Sequence, residues 1–533
     1  MAKVHRKYPR TEPAHSFLHM PGSLTPPDAV ADAADLLQKV TSYLEHPFNE
    51  RQAEAFCRSL TERLFLLWGP PGTGKTTVVA GMILGWLERA WANRLPVTVG
   101  VGGSNYNAID NVLREVAELL DRRRQQQGDP PLEVRLVRVR SEAAPVSSDD
   151  RIEDVARDSE AARIYGRNLL APIECHVIGG TWMQLGRLAE SVTEDEQPMA
   201  QWFDLLVLDE ASQVEVSAAA AYFLLLKESA HVVLAGDHRQ LGPIYRFKMD
   251  DNAGGLFDCI FSFIQETHAI QPVMLEQNYR TNMEIGNWPK LRFYSEGYEA
   301  FHPRRRLQIT LPGCGDSPPQ GWPVSLTWNP AYLRILDPAL PVAIITYDAR
   351  TYTLSNSFEA QMVAALSYLY RRILIENGGY QGDVDFWMER LSIVTPHRAQ
   401  MATIRNLLVD TARMPVDPPP FVDTVDRVQG QERDLIIASY AVADRDFVRA
   451  EEEFILDPRR FNVTLTRARS KFIMLVSDAV IQHLPSDAYV ARDAAHLQLF
   501  VENYCSSINQ PMELCFFDNG ISLAMECHLR GRR

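Results

Sequence analysis

Residues 64–77 join a short apolar run to a glycine-rich turn, and they read Leu64-Phe-Leu-Leu-Trp-Gly-Pro-Pro-Gly-Thr-Gly-Lys75-Thr-Thr77. The apolar run predicts a buried strand, and the residues that follow it predict a helix. Glycines at Gly69, Gly72 and Gly74 allow a tight turn, so that backbone N–H groups and the start of the helix can surround phosphate. The segment therefore predicts a phosphate-binding loop.

The side chains of this loop suit a nucleotide bound with magnesium. Lys75 places a positive charge for the β and γ phosphates, and Thr76 offers a hydroxyl to Mg²⁺. The expected nucleotide contacts are Gly69, Pro70, Pro71, Gly72, Thr73, Gly74, Lys75, Thr76 and Thr77. Kinases, GTPases and transporters share such a loop, so it predicts nucleotide binding without specifying the reaction.

Length and composition set wide limits. A chain of 533 residues has room for two or three domains, and 46% hydrophobic with 23% charged residues is an ordinary globular balance. The formal net charge of −14 argues against a uniformly basic coat for nucleic acid. Any such partner is expected to meet a local groove.

Cysteine usage and hydropathy indicate a soluble, intracellular, cytoplasmic protein, with the nucleus left open. The seven cysteines are odd in number and include no Cys-x-x-Cys pair, which favours a reducing compartment. The spacing of Cys505, Cys515, Cys527 and His528 is too irregular to favour a zinc site. The longest apolar run, residues 78–87, is too short to span a bilayer, and residues 1–10 lack the apolar stretch of a signal peptide. No membrane partner is expected.

A second apolar strand, residues 203–208, ends at two adjacent carboxylates. Asp209 is predicted to hold the Mg²⁺ water shell, while Glu210 orients the attacking water as general base. A further strand, residues 231–235, leads through a Gly-Asp turn to Gln240, a neutral group suited to sensing the γ phosphate.

Polar side chains follow other predicted strands at the edge where open α/β sheets bind ligands. Ser104 and Asn105 follow the strand at 97–101, and Thr181 follows the strand at 173–180. Before the phosphate-binding loop, the amide of Gln52 carries the donor and acceptor that an adenine edge requires.

The order of motifs resembles superfamily 1 helicases, in particular the Upf-like branch of superfamily 1B. Residues 69–77, 209–213 and 236–243 are similar to motifs I, II and III. In the second half, residues 275–280 resemble the Gln-Tyr-Arg element, and segments 393–400, 422–432 and 454–469 resemble motifs IV, V and VI. The resemblance covers about residues 47–478.

This resemblance implies an α/β fold of two RecA-like P-loop domains with parallel sheets and ATP in the interdomain cleft. We expect a lead and docking helix at 1–46, the first domain at 47–273 with a surface insertion at 141–172, the second domain at 274–485 with a loop-rich insertion at 283–340, and a tail at 486–533. The departures are Tyr106 and Asn107, where the family has small residues, and the absence of a proline before Ser104.

The resemblance also implies a role for each matching residue. Gln52 would read adenine, Tyr279 would stack on it, and Gly430 and Glu432 would lie near the ribose. The catalytic residues would be Lys75, Asp209, Glu210, Gln240, Arg280 and Arg467, with both arginines acting on the phosphates and Thr76 and Asp209 serving the metal. Contacts to single-stranded nucleic acid would come from Ser104, Asn105, Thr181, Thr395, Pro396, Thr424 and Asp426. Base contacts by Val425, Trp182 or Pro396 are a further option, although core packing suits Val425 better.

The expected function is an ATP-dependent, Mg²⁺-using helicase or translocase that moves 5′ to 3′ on single-stranded nucleic acid. The alternative is an ATP-gated clamp or remodelling subunit of a larger complex that unwinds little on its own. The sequence leaves open whether the track is DNA or RNA, because small polar groups that contact the backbone do not reveal a reader of the 2′-OH. Protein partners are equally open.

Overall fold

The structure is a computed structural model of the chain, and it describes residues 13–24, 32–193, 199–243, 259–313, 317–428, 430–518 and 520–533. The chain divides into two compact units, Met1–Glu276 and Gln277–Arg533. Each unit has its own sheet and its own apolar core. In the described part of the chain, no helix is both long enough and apolar enough to cross a bilayer.

The first unit alternates strands and helices around one parallel sheet. Its helices are α1 (Pro13–His19), α2 (Ala33–Thr41), α3 (Glu50–Thr61), α4 (Lys75–Asn93), α5 (Tyr106–Gln127), α6 (Glu160–Asn168), α7 (Trp182–Val192), α8 (Val216–Phe223) and α9 (Ile260–His268). Its strands are β1 (Leu64–Trp68), β2 (Thr98–Gly102), β3 (Val134–Arg140), β4 (Glu153–Ala156), β5 (Cys175–Gly179), β6 (Phe203–Leu208), β7 (Leu226–Gly236) and β8 (Val273–Met274). In the described residues the sheet order is β4-β3-β5-β2-β6-β7-β1-β8, and every pairing is parallel.

Three strands of this sheet are buried on both faces, since every residue of β1, β2 and β5 is buried. Helices cover both faces, as parallel sheets require. The pattern puts the ends of β1, β2, β5, β6 and β7 along one edge, where the polar residues singled out in the sequence are found. The predicted α/β class with a parallel sheet is confirmed for this unit.

Two segments of the first unit differ from the sequence analysis. Residues 141–172, read as a surface insertion, contain β4, which pairs with β3 as the edge strand, and the helix α6. The docking helix expected within residues 1–46 appears as α2. The earlier helix α1, in the stretch read as a flexible lead, buries Phe17 against the ring of Phe223 at a centroid distance of 5.8 Å. Both differences come from long-range packing that a local pattern does not show.

The second unit has a larger share of short elements. Its helices are α10 (Met283–Arg292), α11 (Ala331–Leu336), α12 (Ser357–Glu376), α13 (Asp383–Asp385), α14 (Arg398–Asn406), α15 (Arg445–Ala450), α16 (Glu452–Ile455), α17 (Pro458–Leu465), α18 (Asp478–Ile481) and α19 (Ala488–Leu499). Its strands are β9 (Gln277–Asn278), β10 (Glu299–Ala300), β11 (Val342–Tyr347), β12 (Leu391–Val394), β13 (Val422–Asp423), β14 (Arg433–Ser439), β15 (Ala468–Ser477), β16 (Ile508–Asp518) and β17 (Ile521–Arg532).

The main sheet of the second unit has the order β13-β12-β14-β15-β11-β17-β16 in the described residues. The five strands from β13 to β11 are parallel, as predicted. The segment 283–340, read as loops, contains α10, in which the side chain of Asn282 caps the helix by accepting from the N–H of Ile285 at 3.0 Å. Pro289 lies inside that helix. Because a proline usually interrupts a helix, the sequence pattern does not predict this one.

Within the segment 486–533, read as a tail, the strands β16 and β17 form a hairpin that joins the same sheet. β17 pairs antiparallel with β11, and β16 pairs antiparallel with β17. Side chains from other segments engage the outer carbonyls of β16: Asn329 Nδ2 donates to Glu513 O at 2.7 Å, Thr327 Oγ1 donates to Cys515 O, and Gln361 Nε2 donates to Phe517 O at 2.5 Å. The hairpin is thus an integral part of the second unit.

Candidate functional site

The phosphate-binding loop lies between β1 and α4 and is held by hydrogen bonds within the loop and to the end of β7. Gly69 N–H donates to Gly236 O at 3.0 Å, and Thr73 Oγ1 donates to Pro70 O at 2.8 Å. Gly74 has a φ of 79°, a left-handed conformation that favours glycine. A Cβ on Gly69 would lie 2.7 Å from Lys75 Cβ. The loop therefore turns tightly into the N-terminus of a 19-residue helix, which is a favourable place for an anion.

Lys75 lies between the two carboxylates that follow β6. Its Nζ is 3.0 Å from Asp209 Oδ1 and 2.8 Å from Glu210 Oε1. Burial alone would lower the pKa of Lys75, but the two carboxylates outweigh it and raise that pKa above its usual value. Burial raises the pKa of Asp209, and the nearby ammonium group of Lys75 opposes that rise. The structure thus brings together three of the predicted catalytic side chains.

The backbone conformation after β6 directs the carboxylate of Glu210 toward Lys75. Asp209 N–H donates to Gly102 O at 3.0 Å, which holds it against the end of β2. Glu210 has a φ of 50°, a left-handed conformation that costs a residue with a side chain roughly 1 kcal/mol. Strain of this kind is retained where the surrounding structure fixes a functional geometry. The turn sends Glu210 to the same ammonium group as its neighbour Asp209.

Gln240 is held at the end of β7 by an aspartate to which the sequence analysis gave no role. Gln240 Nε2 donates to Asp237 Oδ2 at 2.7 Å, and Trp68 Nε1 donates to Asp237 Oδ1 at 3.0 Å. The N–H of Arg239 also donates to Asp237 Oδ1, at 3.0 Å. Asp237 is fully buried, so it ties the end of β1 to the turn that carries Gln240.

Gln52, in α3, contacts the phosphate-binding loop, and its amide already has protein partners. Its Nε2 donates to Thr73 O at 3.1 Å, and its Oε1 accepts from Asn49 N–H at 3.0 Å in a capping box that starts α3. An amide carries two N–H donors and two lone pairs on its oxygen, so each atom keeps one further bonding position. The predicted contact with adenine remains a prediction.

Two threonine hydroxyls, those of Thr76 and Thr77, lie in the first turn of α4. Thr77 Oγ1 donates to Glu115 Oε1 at 3.1 Å, which directs it to α5. Thr76 is half-buried in the first turn of α4. A threonine hydroxyl and a buried carboxylate are oxygen ligands of the kind that Mg²⁺ accepts, so Thr76 and Asp209 fit the predicted metal role.

In the second unit, an ion pair brings together Arg280 and Glu432. Arg280 Nε donates to Glu432 Oε2, and Arg280 Nη1 donates to Thr466 O at 3.3 Å. Arg280 lowers the pKa of Glu432. Arg467, which follows Thr466, is buried, and its Nε donates to Val463 O at 3.1 Å. The two predicted arginines therefore belong to one cluster, with Glu432 as the ion-pair partner of Arg280.

Two further predicted nucleotide contacts of the second unit lie on its surface loops. The ring of Tyr279 packs at 4.9 Å from the ring of Phe301, and its hydroxyl donates to Gln277 Oε1 at 2.8 Å. Gly430 is exposed and has a φ of 83°, two residues before Glu432.

The predicted nucleic-acid residues of the first unit lie side by side. β2 and β5 are neighbours, with Val101 paired to Gly179, so Ser104 and Thr181 follow adjacent strand ends. Ser104 Oγ donates to Gln213 Oε1 at 2.9 Å, and Asn105 Oδ1 accepts from Ala108 N–H at 3.1 Å as the cap of α5. Asn105 thus has a structural role in addition to the predicted contact.

A buried tyrosine of α8 joins these two strand ends. Its hydroxyl, Tyr222 OH, accepts from Gly103 N–H at 3.1 Å and donates to Gly180 O at 2.9 Å. Tyr222 is fully buried. The sequence analysis gave it no role, because only the fold brings α8 to both loops.

The corresponding residues of the second unit are less accessible. Thr395 is buried, and its N–H donates to Asp423 O at 3.1 Å, while Pro396 and Thr424 are half-buried. Asp426 is paired with Arg460, whose Nη1 lies 3.0 and 3.1 Å from the two carboxylate oxygens. The structure therefore places these residues on the loops after β12 and β13, with Asp426 engaged by an arginine.

Two family models, both described as AAA domain, match residues 52–247 and 257–479. Three curated relatives are similar over most of the chain. The mouse "DNA replication ATP-dependent helicase/nuclease DNA2" is 24% identical over 88% of this chain and 40% of its own length. The mouse "DNA-binding protein SMUBP-2" is 24% identical over 81% and 42%, and the Saccharomyces cerevisiae "DNA polymerase alpha-associated DNA helicase A" is 23% identical over 84% and 67%.

The homologues of this chain are superfamily 1 helicases. This assignment confirms the resemblance drawn from the motifs. The chain spans less than half the length of the two mouse relatives. The roles of its individual site residues are proposals.

Proposed function

We propose that this chain is an ATP-dependent helicase or translocase that moves 5′ to 3′ on single-stranded nucleic acid. The observation that carries the proposal is the contact of Lys75 with both Asp209 and Glu210 beside the phosphate-binding loop. A lysine, a metal-binding aspartate and a general base are the groups that hydrolysis of a nucleoside triphosphate requires. The names of the relatives support ATP as the nucleotide.

The resting ion pairs give this site a simple way to respond to ATP. When phosphate binds at the loop, Lys75 has a second set of anionic oxygens to contact, and its hold on Glu210 weakens. Glu210 is then available to accept a proton from the attacking water. Mg²⁺, held by Thr76 and Asp209, would neutralise charge on the phosphate oxygens.

The track is proposed from the strand-end residues of the first unit. Ser104, Asn105 and Thr181 are small and polar, which suits hydrogen bonds to phosphate and sugar that do not depend on base sequence. The names of the relatives refer to DNA, so single-stranded DNA is the first polymer to test. The 5′ to 3′ direction rests on the resemblance to superfamily 1B.

The decisive experiment measures ATP hydrolysis by the purified chain without polymer, with single-stranded DNA and with single-stranded RNA. We expect stimulation by at least one polymer, and loss of at least 100-fold in the Glu210→Gln variant, since general-base catalysis contributes about 10²- to 10⁴-fold. Asp209 remains in that variant, so ATP binding should persist. Stimulated hydrolysis that survives in Glu210→Gln would refute the proposed chemistry.

A strand-displacement assay then distinguishes a helicase from an ATP-gated clamp. Duplexes with a 5′ or a 3′ single-stranded overhang are compared, and we expect unwinding from the 5′ overhang. Stimulated hydrolysis without displacement of either duplex would favour the ATP-gated clamp. Displacement from the 3′ overhang alone would contradict the proposed direction.

A further inference from the structure

Two large apolar side chains are exposed together at the start of α7. Trp182 and Met183 are each 42% exposed, and they follow Thr181 directly. An exposed tryptophan beside polar loops is informative because this side chain is usually well buried. The first turn of α7 therefore presents an aromatic surface to solvent.

This aromatic surface lies next to the predicted track. Tyr222 OH contacts both Gly103 N–H and Gly180 O, so the loop that leads to Ser104 runs beside the loop that leads to Trp182. Ser104 and Asn105 are exposed. Small polar side chains therefore lie on the same edge of the sheet as Trp182.

The helix that carries Trp182 is firmly held. Gln184 is buried, its Nε2 donates to Tyr106 OH at 2.9 Å, and its Oε1 accepts from Arg157 Nη1 at 2.9 Å. The ring of Tyr106 packs against the guanidinium of Arg138 at 4.6 Å. Tyr106, one of the residues that depart from the family pattern, therefore links the start of α5 to the start of α7. An aromatic group on a fixed element loses little freedom when it binds.

We propose that Trp182 stacks on a nucleobase of the bound single strand, while Ser104 and Asn105 contact the adjoining phosphate or sugar. This inference rests on the proposed function and assigns it a base-contacting residue. Stacking on an aromatic face tolerates any base, as movement along a strand requires. Two apolar side chains bordered by polar ones form too small a patch for a protein interface, which buries about 800 Å² on each partner.

The test compares the affinity of the full chain for oligothymidine and for a strand of the same length whose sugars carry no bases. In wild type, the base-free strand should bind more weakly. Trp182→Ala should weaken oligothymidine binding by about 5- to 150-fold, the equivalent of about 1–3 kcal/mol for one base, and should bind the two strands alike. Trp182→Phe should keep part of the preference. Fluorescence anisotropy of labelled strands gives each affinity.

Ile173→Ala is the matched control. Ile173 is 88% exposed and precedes β5 at its amino end, so its loss should change neither affinity. Equal binding of oligothymidine by wild type and Trp182→Ala would overturn the inference and leave the proposed function intact. Failure of wild type to bind any single strand would overturn the proposed function itself.

Discussion

At the scale of single residues, Lys75 shows how much the fold adds to a motif. The sequence assigns separate roles to Lys75, Asp209 and Glu210 from two segments far apart in the chain. The structure adds that these charges neutralise one another at distances of 2.8 and 3.0 Å. A nucleotide must therefore compete with the carboxylates for the lysine. Spacing along the chain could not have shown that competition.

Asp237 shows what single-residue reasoning misses. In the sequence it belongs to a Gly-Asp pair, which predicts a turn and nothing more. In the fold it accepts hydrogen bonds from Trp68 Nε1, Arg239 N–H and Gln240 Nε2. The indole comes from a strand far away in the sequence, so only the pairing of β1 with β7 explains why a buried carboxylate is needed here.

Glu359 is a buried carboxylate of the second unit whose contacts the sequence does not predict. It lies on α12, is fully buried, and accepts hydrogen bonds from Tyr347 OH at 2.5 Å, Ser439 Oγ at 2.6 Å and Ala441 N–H at 2.9 Å. Burial raises the pKa of Glu359 to about 7, and the three donors oppose that rise. This carboxylate joins α12 to the ends of β11 and β14.

The pKa of Glu359 makes the stability of the second unit depend on pH. Since its pKa is higher in the folded state than in the unfolded state, the folded state binds more protons between the two values, and stability falls as pH rises. The raised value of about 7 corresponds to a loss of about 3 kcal/mol from about pH 4 to about pH 7. Glu359→Gln should remove this dependence, as measured by chemical unfolding at both ends of the range.

Glu376→Gln on the same helix is the control for Glu359. Glu376 is exposed at the end of α12 and pairs with Arg372 at 2.7 Å. An exposed pair of this kind contributes little to stability. The control should therefore keep the pH dependence of wild type, and an equal loss of that dependence in both variants would contradict the assignment to Glu359.

At the scale of elements, α8 acts as a clamp on the ends of β2 and β5. The hydroxyl of Tyr222 contacts both loops, so it fixes the distance between Ser104 and Thr181. Removal of the hydroxyl leaves Gly103 N–H and Gly180 O without that partner, at a cost of about 1–3 kcal/mol for a buried group. The two strand ends would then be able to move apart.

We expect Tyr222→Phe to raise the concentration of single strand that half-maximally stimulates ATP hydrolysis. The matched control is Tyr165→Phe, because Tyr165 is also buried and its hydroxyl bonds to His176 Nδ1 at 3.2 Å, near the amino end of β5. Both variants lose a buried hydroxyl of the first unit. A similar shift in both would show that lost stability, and not the position of the loops, causes the effect.

Elements also mark where sequence reasoning ends. The strands β1 and β6 could be predicted because each is a nearly continuous apolar run next to a helix pattern, whereas the parallel edge strand β4 is polar and lies in the segment read as a surface insertion. The hairpin β16–β17 could not, since β16 contains Pro511 and alternates weakly, and β17 finds its partner in β11, far back in the chain. A strand whose burial depends on distant pairing leaves little signal in its own residues.

At the scale of the whole molecule, the charge of −14 bears on how a nucleic acid would bind. None of the seven predicted nucleic-acid contacts is cationic, and one of them, Asp426, is an acid paired with Arg460. Few phosphate charges would then be neutralised by lysine or arginine. Affinity should come mainly from hydrogen bonds and stacking.

The salt dependence of the affinity measures how many phosphate charges the protein neutralises. We expect a plot of log affinity for oligothymidine against log salt, between about 50 and 200 mM, to have a slope no steeper than about −1.5, since each neutralised phosphate of a single strand contributes about −0.7. Trp182→Ala should lower the line without changing its slope. A slope of about −4 or steeper would show that a basic groove, and not the strand-end residues, dominates binding.

The side chains that engage the outer margin of β16 have a consequence for self-association. An uncovered margin is a template on which a strand from another molecule can add, and repeated addition leads to aggregates. Here the carbonyls of Glu513, Cys515 and Phe517 are already occupied by Asn329, Thr327 and Gln361. A second copy that paired along residues 513–517 would have to displace these three side chains. Intermolecular strand addition is therefore disfavoured along this part of the edge of the second unit's sheet.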